Sequence, residues 1–237
     1  MSDPAAGPEL SIVFPAFNEA LRLGKTLDSV RNYLEQQSLD YEILVVDDGS
    51  HDATAGVGAE ALAHCRHGRL ISFPENRGKG AAVRAGALEA SGRFVLFSDV
   101  DLSTPIEEEA RLREALLQGA DIAIGSRKLP GSRITRSQSA LRQISGWIFN
   151  LSVRALGLAS SRDTQCGFKM FRQKAVREIF PRLRIGGFAF DVESLFLARR
   201  AGLRIEELPP EVLVGLDLDD ATAPVLVLLP MAYLGSL

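Results

Sequence analysis

Two carboxylates one residue apart, Asp99 and Asp101, stand where an apolar run ends, in Arg93-Phe94-Val95-Leu96-Phe97-Ser98-Asp99-Val100-Asp101-Leu102-Ser103-Thr104-Pro105. Hard oxygen ligands at this spacing suit Mg²⁺ or Mn²⁺ held jointly with a substrate diphosphate. The competing reading makes Asp99 a turn residue and Asp101 the residue before a helix capped by Ser103 or Thr104. Asp-x-Asp alone does not separate the two. Three more apolar runs end in the same manner: Ser11–Pro15 leads into Ala16-Phe17-Asn18-Glu19, Tyr41–Val46 into Asp47-Asp48-Gly49-Ser50, and Asp121–Gly125 into Ser126-Arg127. Carboxylates accept hydrogen bonds from ribose hydroxyls or a base N–H, and a guanidinium grips phosphate oxygens bidentately. Such exits would therefore suit a nucleotide with a charged diphosphate.

The elements that must position these groups follow from periodicity. The runs 11–15, 41–46, 70–73, 93–97 and 121–125 read as buried strands. Between them, apolar spacing predicts helices over 20–36, 52–65, 81–90 and 106–118, as in Leu23, Leu27, Val30 and Leu34 of the first. Strands alternating with helices imply parallel βαβ units, so all four polar exits fall on one edge of one sheet, where open α/β sheets bind ligands. The expected architecture is α/β: a single Rossmann-like domain with a mostly parallel sheet flanked by helices. No Gly-x-Gly-x-x-Gly follows the first strand and no Walker loop is present, which excludes a dinucleotide fold and a P-loop ATPase.

Composition sets bounds on this reading. The chain has 237 residues, 46% hydrophobic and 24% charged, with a net charge of -3. That describes a core-forming protein rather than a disordered one. Cys65 and Cys166 lack metal-ligand spacing and read as reduced thiols, Cys166 as a small buried filler. Residues 1–10 read as a flexible terminus, and no run has the length of a membrane span.

Five motifs in order, Pro15-Ala16-Phe17-Asn18-Glu19, Val46-Asp47-Asp48-Gly49-Ser50-His51-Asp52, Asn76-Arg77-Gly78-Lys79-Gly80, Asp99-Val100-Asp101 and Gly125-Ser126-Arg127, resemble those of inverting GT-A glycosyltransferases of family 2. Asp163-Thr164-Gln165-Cys166-Gly167-Phe168-Lys169-Met170-Phe171 and Gly187-Phe188-Ala189-Phe190-Asp191-Val192-Glu193 are similar to the dolichyl- and polyprenyl-phosphate sugar transferases, most closely the β-glucosyltransferase branch. The resemblance covers residues 11–213, taken as the GT-A domain. It implies a nucleotide-sugar donor, a divalent Mg²⁺ or Mn²⁺ and a lipid-phosphate acceptor. It puts Pro15, Phe17 and Glu19 near the base and ribose, Asp47 or Asp48 on the base, and Lys79 and Val100 near the nucleotide. Asp99 and Asp101 would hold the metal, with Asp101 catalytic. Ser126 and Arg127 would bind the acceptor, Arg127 facing the phosphates as a catalytic residue, and Asp163 and Asp191 would lie on the acceptor side as further catalytic candidates. Lys79 reads equally well as part of an ordinary loop before a helix, and Asp191 as a dipole partner in a helix first turn.

Residues 122–162 contain no Asp or Glu yet carry Arg127, Lys128, Arg133, Arg136, Arg142, Arg154 and Arg162. With Trp147 on an expected amphipathic helix over 137–158, this segment suits a membrane interface, Arg133 and Arg136 serving the acceptor phosphate. No aromatic platform or recognition motif accompanies it, so nucleic acid is not the expected partner. Beyond residue 213 the chain departs from the family: Asp217, Asp219 and Asp220 precede an apolar run that could pack on the domain, touch membrane or join chains in a homo-oligomer. The expected protein works on the cytoplasmic face of a membrane and moves a hexose, most simply glucose from UDP-glucose, onto a polyprenyl phosphate. Transfer from GDP-mannose, transfer to a glycan or soluble acceptor, and a degenerate nucleotide-binding scaffold are the alternatives.

Overall fold

The apolar runs become the strands of one sheet. The computed structural model describes residues 7–125 and 166–208. In chain order they form β1 (Leu10–Ala16), α1 (Ala20–Gln36), β2 (Tyr41–Asp47), α2 (Thr54–Leu62), β3 (Gly68–Ser72), α3 (Lys79–Glu89) and β4 (Phe94–Ser98). A 3-10 turn (Ile106–Glu108), α4 (Glu109–Leu117) and β5 (Ile122–Gly125) follow. After residue 165 come β6 (Phe168–Arg172), α5 (Gln173–Ile179), a second 3-10 turn (Phe180–Arg182), α6 (Phe190–Arg200) and β7 (Ile205–Leu208). The strand order is β3-β2-β1-β4-β6-β5-β7, with β6 antiparallel to both neighbours and the other described pairs parallel. The mostly parallel α/β architecture expected from the sequence is what forms.

The periodicity of the sequence marks no strand after residue 125, yet Phe168–Arg172 is β6, which enters the sheet between β4 and β5, Phe168 opposite Ser98 and Phe171 opposite Ile122. An antiparallel strand starts where its parallel neighbours end. The residues just before β6 are thereby delivered to the carboxyl edge, beside Asp99.

The core lies on both faces of the sheet. Leu23, Leu27, Val30 and Leu34 of α1 are buried, as their spacing requires. Phe97, Phe171, Phe180 and Phe190 form a chain of ring contacts joining β4 and β6 to α6, with centroids 5.3–6.1 Å apart. Pro8 and Glu9, expected to fray, accept from the amides of Arg93 and Phe94, and Leu10 already belongs to β1.

At the opposite, amino edge a buried acid ties three strand ends together. Glu42 Oε1 accepts from Ser11 Oγ at 2.6 Å, Ser91 N at 2.6 Å and Ser91 Oγ at 2.9 Å, while Oε2 meets Arg69 at 3.0 Å. Burial alone would raise this carboxyl, but the serine donors and Arg69 hold it below its ordinary 4.5. A lowered folded pKa means stability that is fully present above the ordinary value and is lost as pH falls through the folded one. Glu42→Gln should therefore unfold more easily at neutral pH, by about 1–3 kcal/mol, and lose stability less steeply on acidification below about pH 4.5. Thermal melts of both proteins from neutral to acidic pH check this; parallel curves would refute it.

Candidate active site

At the carboxyl edge, the loops after β1 and β2 are stitched together. Asn18, at φ 56°, donates its amide to Ser50 Oγ at 2.9 Å and accepts from the His51 amide at 2.9 Å. Asp52 and Thr54 accept from the amides at the start of α1: Ala20 N meets Asp52 Oδ2 at 3.2 Å and Glu19 N meets Thr54 Oγ1 at 2.7 Å. The result presents Phe17 outward, 41% exposed, with the His51 ring edge-on at 6.2 Å. A rigidly mounted, half-exposed aromatic ring is a surface on which a planar base can stack. Glu19 stands beside it, and burial raises its carboxyl; Arg22 opposes the shift, and Asp101 and Asp99 add to it. The negative charge of Asp99 and Asp101 thus reaches Glu19 across the edge.

The two acids after β2 divide their work. Asp48 accepts the amides of Arg77 and Gly78 at 2.7 and 2.8 Å, one on each oxygen. It braces the loop before α3, and its carboxylate is buried. Gly78 takes φ 93°, and a Cβ there would strike the Gly186 carbonyl, so this loop packs backbone to backbone on the loop before α6. Asp47 is buried as well, accepting from the Ser50 amide at 3.2 Å. Of the two, Asp48 is the one whose oxygen atoms are both committed to bracing the loop before α3.

The turn after β4 places Asp99 and Asp101. Asp101 receives Ser103 N at 3.0 Å and Ser103 Oγ at 2.7 Å, a local turn closed by its side chain. The cap by Ser103 or Thr104 does not form, since the 3-10 turn that follows starts after Pro105 with no side-chain cap. The turn is compatible with a metal, because each carboxylate oxygen keeps a second lone pair. Asp99 is held differently: Lys79 Nζ lies 2.5 Å from its Oδ1, and its amide donates to the Gly167 carbonyl at 3.2 Å. Among the described residues no three His, Cys, Asp or Glu side chains converge as a metal cage. The donor set offers two hard carboxylates with room for outside ligands. That fits Mg²⁺ or Mn²⁺, which keep waters and take substrate phosphates, and does not fit a closed structural site.

Behind Asp99 lies a group that the sequence patterns do not mark as a site. Lys169 is completely buried in β6; its ammonium donates to Asp191 Oδ1 and the Cys166 carbonyl, both at 2.5 Å, and lies 5.1 Å from the centre of the Phe97 ring. Asp191 is only 3% exposed, so it is no ordinary first-turn acid on a solvated helix. Burial raises its carboxyl, opposed by Lys169 and Lys79. For Lys79, burial works against the charged form, but Asp99, Asp191 and Asp101 outweigh it and hold the ammonium above its usual value. Glu193, also buried, accepts the Arg184 and Ile185 amides at 2.8–3.1 Å and secures the loop before α6. The signal available in the sequence was a single lysine inside the apolar run Phe168-Lys169-Met170-Phe171, which demands a buried partner.

Pro15, Phe17, Glu19, Asp47, Asp48, Lys79, Asp99 and Val100 are therefore gathered along one edge, whereas Asp191 lies beneath it. Ser126, Arg127, Arg133, Arg136 and Asp163, the expected helix over 137–158 and the tail 214–237 lie outside the described residues. No helix among the described residues is long and apolar enough to cross a membrane.

Comparison with known proteins agrees with this geometry. Residues 11–180 match the family model described as Glycosyl transferase family 2, and the chain belongs to that family. It is 41% identical over 216 residues to a dolichyl-phosphate beta-glucosyltransferase of Drosophila melanogaster, covering 84% of this chain and 65% of that protein. It is 36% identical over 221 residues to the dolichyl-phosphate beta-glucosyltransferase of Saccharomyces cerevisiae, again 84% and 65%. The chain thus spans slightly less than two thirds of the length of these relatives. Among solved structures, glucosyl-3-phosphoglycerate synthase from Mycobacterium tuberculosis, in complex with Mn²⁺, UDP and glucosyl-3-phosphoglycerate, shares the fold. The TM-score is 0.65 at 21% identity, covering 97% of this chain and 75% of that one.

Proposed function

We propose that this protein transfers glucose from UDP-glucose to dolichyl phosphate or a related polyprenyl phosphate, with inversion at the anomeric carbon. The observation that carries the reading is the meeting of Asp99 and Asp101 with Phe17 and Glu19 at one sheet edge. The names of the relatives supply the sugar and the lipid, and the Mn²⁺ and UDP of the structural neighbour supply the donor class.

In this reading Phe17 stacks on uracil, Asp47 accepts from the base and Glu19 from the ribose. Asp99 and Asp101 would hold the divalent ion, which when bound offsets the charge appearing on the UDP leaving group. The acceptor phosphate has a second pKa of about 6 and is largely dianionic at neutral pH, so it attacks without a strong protein base. Its oxygen forms the bond to C1 as the bond from C1 to the UDP oxygen breaks, converting an α-linked donor into a β-linked lipid-phosphate glucose. Ser126, Arg127, Arg133 and Arg136 receive the acceptor phosphate, with Asp163 near them. The basic segment 122–162 seats the protein peripherally on the cytoplasmic face of a membrane, and residues 11–213 act as one catalytic domain with the tail 214–237 appended.

Incubation with labelled UDP-glucose or GDP-mannose, dolichyl phosphate and Mg²⁺ or Mn²⁺, followed by organic extraction, tests the reading. Label should enter the organic phase from UDP-glucose, and only with the metal. Transfer of mannose instead would overturn the donor assignment, and no lipid-linked label from either donor would overturn the function.

A further inference from the structure

The four charges Lys169, Asp191, Lys79 and Asp99 alternate in sign from the interior of β6 to the carboxyl edge. The two ends are direct ion pairs of 2.5 Å, and Asp191 acts electrostatically on Lys79 between them. A buried ion pair is weak evidence of stabilisation, since apolar residues of the same volume often do as well. Its presence directly behind the Asp-x-Asp turn calls for another role.

We propose that Lys169 and Asp191 are positioning residues for the donor site: they fix the Lys79 ammonium, and through it the Asp99 carboxylate, in the orientation that receives a metal-bound diphosphate. Three features on separate elements support this. Lys169 is held by its own strand, donating to the Cys166 carbonyl three residues earlier, so its ammonium has a fixed place. Asp191 sits in the first turn of α6, and the preceding loop is pressed against Gly78 and Gly80 at the start of α3, the helix that carries Lys79. Lys79 reaches from that start to Asp99. The relay therefore joins β6, α6, α3 and the exit of β4, its inner pair buried and its outer pair, Lys79 and Asp99, at the site edge. Asp191 thereby passes from a candidate catalytic acid to a group acting through Lys79. The proposal rests on the donor-site reading given above.

The test uses the full chain and UDP binding by calorimetry, with Mn²⁺ and with EDTA. The double variant Lys169→Met/Asp191→Asn removes one charge of each sign at nearly constant volume, so it leaves no buried charge unpaired. Wild type should bind UDP more tightly with Mn²⁺ than with EDTA. In the double variant UDP affinity in EDTA should match wild type, the gain given by Mn²⁺ should shrink about tenfold or more, and the melting temperature should stay within a few degrees. Two results would overturn the relay: an undiminished Mn²⁺ gain in the double variant, or an equal loss of affinity with and without metal accompanied by a large fall in melting temperature. Wild type showing no Mn²⁺-dependent UDP binding would overturn the donor-site reading itself, and the relay with it. Asp191→Asn alone strands the Lys169 charge and should melt well below the double variant; the reverse order would also count against a coupled pair.

Discussion

Asp101→Asn should leave the protein folded and lower glucosyl transfer by a factor of about 100 or more, the scale expected when a principal electrostatic contribution at the reacting charges is removed. The fold is expected to survive because the local demand on this side chain is modest. Asp101 accepts from the amide and hydroxyl of Ser103, and an asparagine retains one carbonyl oxygen for the amide. The hydroxyl can turn to accept from the new NH₂, so the loss is one charge-assisted hydrogen bond, roughly 1 kcal/mol at a part-buried site. The chemistry has no such substitute. An amide is a poor ligand for a hard divalent ion, and removing one of only two carboxylates leaves Asp99, which is already committed to Lys79. Turnover and melting temperature measured on one preparation decide the matter. A folded Asp101→Asn protein that turns over normally, with or without chelator, would falsify metal-assisted transfer at this edge.

What the sequence revealed and what it concealed can be read from particular residues. Helix α1 runs from Ala20 to Gln36, as its apolar spacing predicts, because a helix laid on a sheet is specified by one face. The polar exits after β1, β2 and β4 were legible for a topological reason: parallel strands must end on the same edge. Strand β6 was not, since its direction and its place between β4 and β5 depend on pairing across 45 residues or more, as in Ile124 opposite Lys169 and Leu96 opposite Met170. No local pattern carries that information. The work of Asp48 was hidden for a related reason. Beside Asp47 it looks like a second ligand acid, yet its partners are the Arg77 and Gly78 amides, 29 and 30 residues away. Asp191 resembled a dipole acid because helix first turns commonly carry one; only the position of Lys169 across the core makes it an interior ion pair.

Gly167→Ala should disable the site from the other side. Glycine at 167 is not required by backbone conformation, for its φ is not in the left-handed region. It is required by space. A Cβ at this position would fall on the Asp99 carboxylate, whose Oδ2, Cγ and Oδ1 are its nearest neighbours. Asp99 cannot retreat freely, since Lys79 grips Oδ1 and its own amide is bonded to the Gly167 carbonyl. One added methyl must therefore either rotate Asp99 off Lys79 or push the start of β6 away from the exit of β4. Over-packing of this kind costs about 1–3 kcal/mol, and if Asp99 holds the ion as proposed, displacing its carboxylate should lower turnover by about 100-fold or more. Gly187→Ala is the matched control, because a Cβ there meets nothing within 4 Å. It should change stability by no more than about 0.5 kcal/mol, as surface substitutions generally do. Turnover, the Mn²⁺ concentration for half-maximal rate, and melting temperature should be compared across wild type and the two variants. Loss of turnover and a raised Mn²⁺ requirement confined to Gly167→Ala would tie catalysis to the placement of Asp99. If Gly167→Ala loses stability but transfers glucose at the wild-type rate with the wild-type metal requirement, Asp99 has no part in holding the ion and Asp101 must hold it without that neighbour.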